Sequence, residues 1–296
     1  MNNTKASIQT SIPEILGEIF PFNQLPQTEL TSLATKFEIL RYRMGQTILA
    51  RENMPAYISI IYEGQARMLG YDRSSETLVP LHLLQKGELF GWSSWLRGIP
   101  CEQVIASGET ICLNLNAKDF QELLQKFPKF VDGFQNQVST IELFELLGEQ
   151  LGQRPDSETI LDFNGVNDIA GLTFKLLPNV FVYHLPPGNS PIIQLDPDFA
   201  WLVSGGGEIK NFPVASHLPV QERKRQKSIE VVGNNSARLL GIPLIEFTWD
   251  SPVEIVAAVD RVTSDIPYAP ERPPQVEMDS EDASEKAAKY PFISAR

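Results

Sequence analysis

The sequence predicts a mainly β protein with flanking α-helices, in which one β-roll is followed by a second, degenerate β-roll. Apolar residues recur with a period of two between Ile39 and about Leu115. Turn residues such as Met44-Gly45 and Lys86-Gly87 interrupt this stretch at spacings of roughly 8 to 12 residues, which is typical of compact antiparallel β structure. On both sides of the stretch the apolar period becomes helical.

Helices are expected before and after the first roll, in a domain comprising residues 20–148. A short amphipathic helix is predicted to follow Leu25, and Asn116 is predicted to cap a second helix that stops near Pro128. A third, long helix is predicted over residues 130–147. Its apolar stripe suits either a homodimer seam or packing on the roll, and consists of Phe130, Phe134, Val138, Ile141 and Phe144.

The second half of the chain is interpreted as a shortened repeat of the first. Residues 149–165 are predicted to be a polar linker, and residues 166–262 a second, degenerate roll. Gly45 and Gly64 are 19 residues apart, as are Gly188 and Gly207, and an apolar strand precedes the second glycine of each pair. Two unrelated β segments with common turn residues remain the alternative.

Composition and charge exclude several functions. The chain carries 25 basic and 37 acidic residues, a net charge of −12, which opposes binding to nucleic acid. No apolar run is long enough to span a membrane, and the two cysteines suit a reducing compartment, so a cytoplasmic location is expected. The proline-rich and acidic residues 263–296 are predicted to be a disordered linker.

The residues from Lys86 to Cys101, together with Gly45 and Gly64, resemble the cyclic-nucleotide-binding domain superfamily of catabolite activator proteins and kinase regulatory subunits. The resemblance implies a roll of the double-stranded β-helix or jelly-roll type. In that family the free N–H groups of a short helix face the cyclic phosphate. A glutamate after the second glycine of the Gly-x-x-Phe-Gly motif binds the ribose, and an arginine after the proline pairs with the phosphate.

This chain departs from the family at both of those positions, which are Trp92 and Cys101. An indole cannot accept a hydrogen bond from the ribose, and a neutral thiol supplies no cation. Glu102 is expected to place a carboxylate near the phosphate position and to repel a phosphate there. Arg97 is the cation within the motif that could substitute for the missing arginine, but it is expected to be a solvated loop residue. We therefore expect no useful binding of cyclic AMP or cyclic GMP. The degenerate positions are Gly87, Glu88, Phe90, Gly91, Trp92, Ser93, Ser94, Arg97, Cys101 and Glu102.

Catalysis and cofactor binding find no support in the sequence. No nucleophile, base and orienting group occur as a set. His82, His184 and His217 are far apart and do not have the spacing of metal ligands. No cofactor, metal or catalytic residue is therefore predicted.

Three further segments resemble the N-terminal regions of cyanobacterial peptidase-containing ABC exporters, including the exporter tied to heterocyst differentiation. These segments are residues 40–46, 98–102 and 195–204. The resemblance implies a regulatory or docking module at the inner membrane, whose partners are the peptidase and transporter domains of a parent exporter. The alternative is a stand-alone, catabolite-activator-like sensor of another small ligand, without a DNA-binding domain.

Overall fold

The computed structural model describes residues 2–152, 154–191, 195–218 and 228–247, all of which belong to one compact unit. None of the described helices is both long and apolar enough to cross a membrane. The helices are α1 (Asn2–Glu18), α2 (Gln27–Ala34), α3 (Ser93–Arg97), α4 (Ala117–Lys126), α5 (Pro128–Gln135), α6 (Thr140–Leu151), α7 (Ser157–Phe163) and α8 (Ile169–Leu176).

The predicted β-roll is confirmed. Two antiparallel four-stranded sheets form it, the first in the order β1-β8-β3-β6 and the second in the order β2-β7-β4-β5. Alternate residues of these strands point into a first core inside the roll. The strands are β1 (Phe37–Tyr42), β2 (Thr47–Leu49), β3 (Tyr57–Glu63), β4 (Ala66–Asp72), β5 (Thr77–Leu84), β6 (Leu89–Phe90), β7 (Gln103–Ala106) and β8 (Thr110–Asn116).

Helices cover the outer face of the first sheet and enclose a second core there. The predicted α2 and α4 are present, and the Asn116 side chain accepts a hydrogen bond from the N–H of Lys118 as the cap of α4. The sequence interpretation missed α1. Its residues Ile8, Ile12 and Leu16 recur every four positions and are buried in this second core, so a helical period was present in the sequence.

The prediction of one long helix over residues 130–147 is wrong, because α5 ends at Gln135 and α6 begins at Thr140. Ser139 starts the new helix through a capping box, in which its side chain and that of Glu142 satisfy two backbone N–H groups. The homodimer stays a prediction, but the stripe that suggested it is buried within the chain. Phe130 and Phe134 lie in the second core, and Ile141 and Phe144 lie in the first.

The predicted polar linker is helical in its described residues. Residues 149–165 contain the end of α6 and all of α7. Leu151, Ile160 and Leu161 are buried in the first core, and this apolar packing holds the segment against the roll. Glu158, Thr159 and Asp162 lie on the exposed face of α7.

The C-terminal part forms a third sheet, ordered β10-β13-β11-β12 with β9 also paired to β13. One sheet is described where two facing sheets were predicted, so the second roll stays a prediction. β11 continues through Gly205–Gly207 with two register shifts, so these glycines do not end the strand. Residues 263–296 lie outside the described residues. The strands are β9 (Phe181–Leu185), β10 (Gly188–Pro191), β11 (Phe199–Ile209), β12 (His217–Leu218) and β13 (Ser228–Pro243).

Candidate functional site

The predicted ligand segment, residues 86–102, is called the cassette below and connects β5 to β7 through β6 and α3. Gly91 precedes α3 with a φ of 91°, a left-handed conformation that suits glycine. A Cβ atom at Gly91 would lie 2.6 Å from the carbonyl oxygen of Tyr57. The cassette backbone therefore lies directly against β3, with the first turn of α3 at the end of the roll.

The carboxylate of Glu102 occupies the hydrogen-bond donors at the start of α3. One oxygen accepts from the N–H of Gly91 at 2.7 Å. The other accepts from the N–H of Ser94 at 3.1 Å and from its hydroxyl at 2.8 Å. Glu102 is only 2% exposed, and burial raises the pKa of its carboxyl, an effect that the N–H groups of Ser94 and Gly91 partly offset.

Cys101 lies beside this carboxylate and supplies no positive charge. Its Sγ is 3.4 Å from the hydroxyl of Ser94. Burial raises the pKa of the Cys101 thiol to about 11, so the thiol is neutral near pH 7. The position that the family resemblance assigns to a phosphate-binding arginine is therefore uncharged in this chain.

Arg97 is not the solvated loop residue that was expected. It is 4% exposed, and its Nε donates a 3.1 Å hydrogen bond to the carbonyl oxygen of Ser204 in β11. The third sheet packs on α3 so closely that a Cβ atom at Gly205 would lie 2.3 Å from the Arg97 carbonyl oxygen. One guanidinium nitrogen of Arg97 has no partner among the described residues.

Other predicted site residues lie apart from this group. The Trp92 ring packs 5.5 Å from that of Phe134 in the second core, outside the roll. Glu88 instead lies 2.6 Å from the ring of His82, and Phe90 is buried in the first core. The structure thus brings together Gly91, Ser93, Ser94, Arg97, Cys101 and Glu102.

An aromatic side chain of α6 fills space inside the roll. Phe144 lies against Gly70 of β4, where an added Cβ atom would be 2.5 Å from the phenyl ring. Both Phe144 and Leu81 of β5 belong to the first core. The faces of β4 and β5 around Gly70 are therefore covered by an apolar side chain of the protein itself.

A buried ion pair holds the joint between α5 and α6 to the third sheet. The guanidinium of Arg238 in β13 contacts both oxygens of Glu142 in α6, at 2.7 and 2.9 Å. It also donates to the carbonyl oxygens of Gln135 and Gln137. Ser204 donates its hydroxyl to Glu142 as well. The sequence analysis missed this group, because Glu142 and Arg238 are 96 residues apart and form no motif.

Within the described part of the chain, no group of three histidine, cysteine, aspartate or glutamate side chains is arranged to hold a metal ion. His82 and His184 both contact protein groups. His82 contacts Glu88, and His184 lies 3.2 Å from the carbonyl oxygen of Gln135.

Comparisons with known proteins give a family match in the first half of the chain. Residues 39–127 match the family model described as "Cyclic nucleotide-binding domain". The catabolite activator protein of Thermus thermophilus is 22% identical over 40% of this chain and 54% of its own, with a TM-score of 0.34. The chain thus spans about half the length of that relative.

Two other solved structures are also similar to this chain at low sequence identity. A cyclic nucleotide-binding-like protein from Brucella abortus is 20% identical over 39% of this chain and 98% of its own, with a TM-score of 0.34. The regulatory domain of Toxoplasma gondii PKA is 11% identical over 87% of this chain and 95% of its own, with a TM-score of 0.39. The match to the family model is confined to residues 39–127.

Proposed function

We propose that this protein is a regulatory or docking module whose cassette no longer binds a cyclic nucleotide. The observation that carries the proposal is the position of the Glu102 carboxylate on the donors of Gly91 and Ser94. In the family that the cassette resembles, such donors face the ligand's phosphate. Here the chain supplies its own anion to them.

Charge and space both support this proposal. A phosphate would have to displace a carboxylate held by three hydrogen bonds, and it would meet a neutral thiol at Cys101. Losing one charge-assisted hydrogen bond costs about 1.5–3 kcal/mol, so two missing partners weaken binding by about 10² to 10⁴. Phe144 also covers the inner face of the roll at Gly70, which leaves less room there for a ligand.

Calorimetric titration tests the proposal. Cyclic AMP and cyclic GMP up to millimolar concentration should give no saturable heat with the wild-type chain. The triple variant Trp92→Glu, Cys101→Arg, Glu102→Ser should gain measurable affinity, because it frees the donors and restores both ligand partners. The matched control is the triple variant Trp92→Glu, Cys101→Arg, Glu88→Ala. It keeps Glu102, whose carboxylate still occupies the donors, so cyclic nucleotide binding should remain absent. A low-micromolar dissociation constant for the wild type would contradict the proposal.

We also propose that the third sheet is a degenerate copy of the roll. Its pairing supports this: β9 pairs with the end of β13 as β1 does with β8, and β10 pairs with the start of β13 as β2 does with β7. β12 pairs with β11 as β6 does with β3. Residues 210–216 hold turns and no named strand, so a counterpart of β5 is missing there.

For the biological setting, we propose that the chain is the N-terminal region of a cyanobacterial peptidase-containing ABC exporter, in the cytoplasm at the inner membrane. The sequence resemblance of residues 40–46, 98–102 and 195–204 supports this setting. Peptidase and transporter domains would be the docking partners. Reading the gene past Arg296 tests the proposal: an in-frame peptidase and ATPase are expected, and a stop codon favours a stand-alone sensor.

A further inference from the structure

A second concave site lies at the rim of the roll, apart from the backbone donors that Glu102 occupies. It has a volume of about 750 Å³ and lies between the end of α1, the rim of the roll and the joint connecting α5 to α6. Ligand pockets in proteins typically enclose roughly 300–1,000 Å³. Glu102, Cys101 and Ser94 do not line this cleft, so its contents are independent of the carboxylate that occupies the cassette.

The walls of the cleft combine apolar side chains with polar and charged groups. Ile15 comes from α1, Tyr62 from β3 and Trp92 from the cassette, while Phe20, 49% exposed, lies at the rim. Aromatic and aliphatic side chains that remain accessible can cover the apolar side chains of a ligand. These walls therefore favour an organic ligand over a simple ion.

The charged groups of the cleft make its specificity clearer. His82 and Glu88 lie 2.6 Å apart and satisfy each other. The ammonium of Lys86 has no anionic partner among the described residues and lies 6.0 Å from the centre of the Tyr62 ring. Glu18, on the α1 side of the cleft, has no ion pair or hydrogen bond in the described part of the chain. One unpaired cation and one unpaired anion therefore come from different walls.

We propose that this cleft binds a short peptide of two or three residues with apolar side chains. Lys86 pairs with the terminal carboxylate, and Glu18 pairs with the terminal ammonium. An extended dipeptide is about 7 Å long, and its apolar side chains would lie against Tyr62 and Phe20. The inference rests on the proposed function, because it names what the module responds to in place of a cyclic nucleotide.

The cleft also reaches the segment that the third sheet holds. Gln137 and Ser139 line it. The carbonyl oxygen of Gln137 accepts from Arg238, and the N–H of Ser139 donates to Glu142 at 3.4 Å. A bound peptide therefore contacts residues that are hydrogen-bonded to the ion pair between α6 and β13, which provides a physical connection from the cleft to the third sheet.

Titration calorimetry with three matched ligands tests the proposal on the full chain. The probes are the dipeptide Phe-Phe, its N-acetyl derivative and its C-terminal amide. The free dipeptide should bind saturably at millimolar concentration or below. Each derivative removes one terminal charge and should bind about three- to tenfold more weakly. Equal binding of all three, or no saturable heat to 10 mM, would overturn the proposal.

Two single variants assign each contact. Lys86→Met should abolish the preference for the free dipeptide over the amide, and Glu18→Gln should abolish the preference over the N-acetyl derivative. Lys118→Met and Glu14→Gln, at exposed positions outside the cleft, are the controls and should retain both preferences. If Lys86→Met and Glu18→Gln both keep the preferences for the free dipeptide over its two derivatives, the proposal is wrong. Cyclic AMP binding by a wild type that keeps these preferences would refute only the proposed function.

Discussion

The substitution Arg238→Met should strongly destabilise the protein, because it leaves Glu142 charged and buried without its cation. Glu142 and Arg238 are 0% and 1% exposed. The change removes the two hydrogen bonds to the carboxylate and those to the carbonyl oxygens of Gln135 and Gln137. Breaking a buried pair on one side costs about 3–5 kcal/mol, which lowers the melting temperature by about 6–20 °C in a unit of this size.

Urea unfolding followed by tryptophan fluorescence measures this loss, since Trp201 is buried in the third sheet. The double variant Arg238→Met, Glu142→Leu should recover at least half of the lost free energy, because no buried charge then remains unpaired. Lys210→Met is the control. It removes an exposed ion pair of 2.7 Å with Glu230 and should change stability little.

The pH dependence provides a second check on the same pair. Burial by itself would raise the pKa of Glu142, but the Arg238 guanidinium and its hydrogen bonds hold that pKa below the ordinary value of 4.5. Because this pKa is lowered in the folded state, ionised Glu142 stabilises the protein above about pH 4.5. That stabilisation is lost as the pH falls further. The difference in free energy of unfolding between the wild type and Arg238→Met should therefore become smaller in acid. The reasoning would be refuted if Arg238→Met lost no more unfolding free energy than Lys210→Met, or if its loss did not depend on pH.

Two further predictions concern the cassette and its contact with the third sheet. Gly205→Ala should lower the melting temperature and increase hydrogen exchange in α3. The added methyl group would lie 2.3 Å from the carbonyl oxygen of Arg97, and the φ of 148° at Gly205 disfavours alanine. Unchanged exchange in α3 would contradict this prediction. Cys101 and Cys112 should resist iodoacetamide at pH 8 until the protein unfolds, because burial raises their pKa values to about 11 and about 12. Rapid alkylation of the native chain, read by mass spectrometry, would contradict the burial of these thiols.

Part of the candidate site could be predicted because it follows from residue types. Trp92 and Cys101 occupy the positions where the family resemblance implies a ribose acceptor and a phosphate cation, and neither side chain can play that role. Glu102 was predicted to repel a phosphate. The hydrogen bonds of Glu102 to Gly91 and Ser94 were not predictable. The sequence shows a glutamate at this position but does not show which groups its carboxylate contacts.

The helical segments show a second reason for failure. Residues 130–147 contain an apolar residue every three or four positions, and that period cannot reveal a break between two helices. The break follows from the capping box at Ser139, and Arg238 holds it by taking the carbonyl oxygens of Gln135 and Gln137. The buried face of α7 was likewise overlooked because its polar residues dominate the composition.

The sequence by itself determined the first β-roll, since the alternation of side chains along a strand and the glycines at tight turns are local properties. It also determined that Trp92 and Cys101 stand where the family resemblance implies charged ligand partners. Tertiary structure alone decided that Glu102 occupies the donors of α3, that Arg97 is buried under the third sheet, and that Glu142 pairs with Arg238. These contacts join residues that are close in space only after whole elements pack together, so no local pattern encodes them.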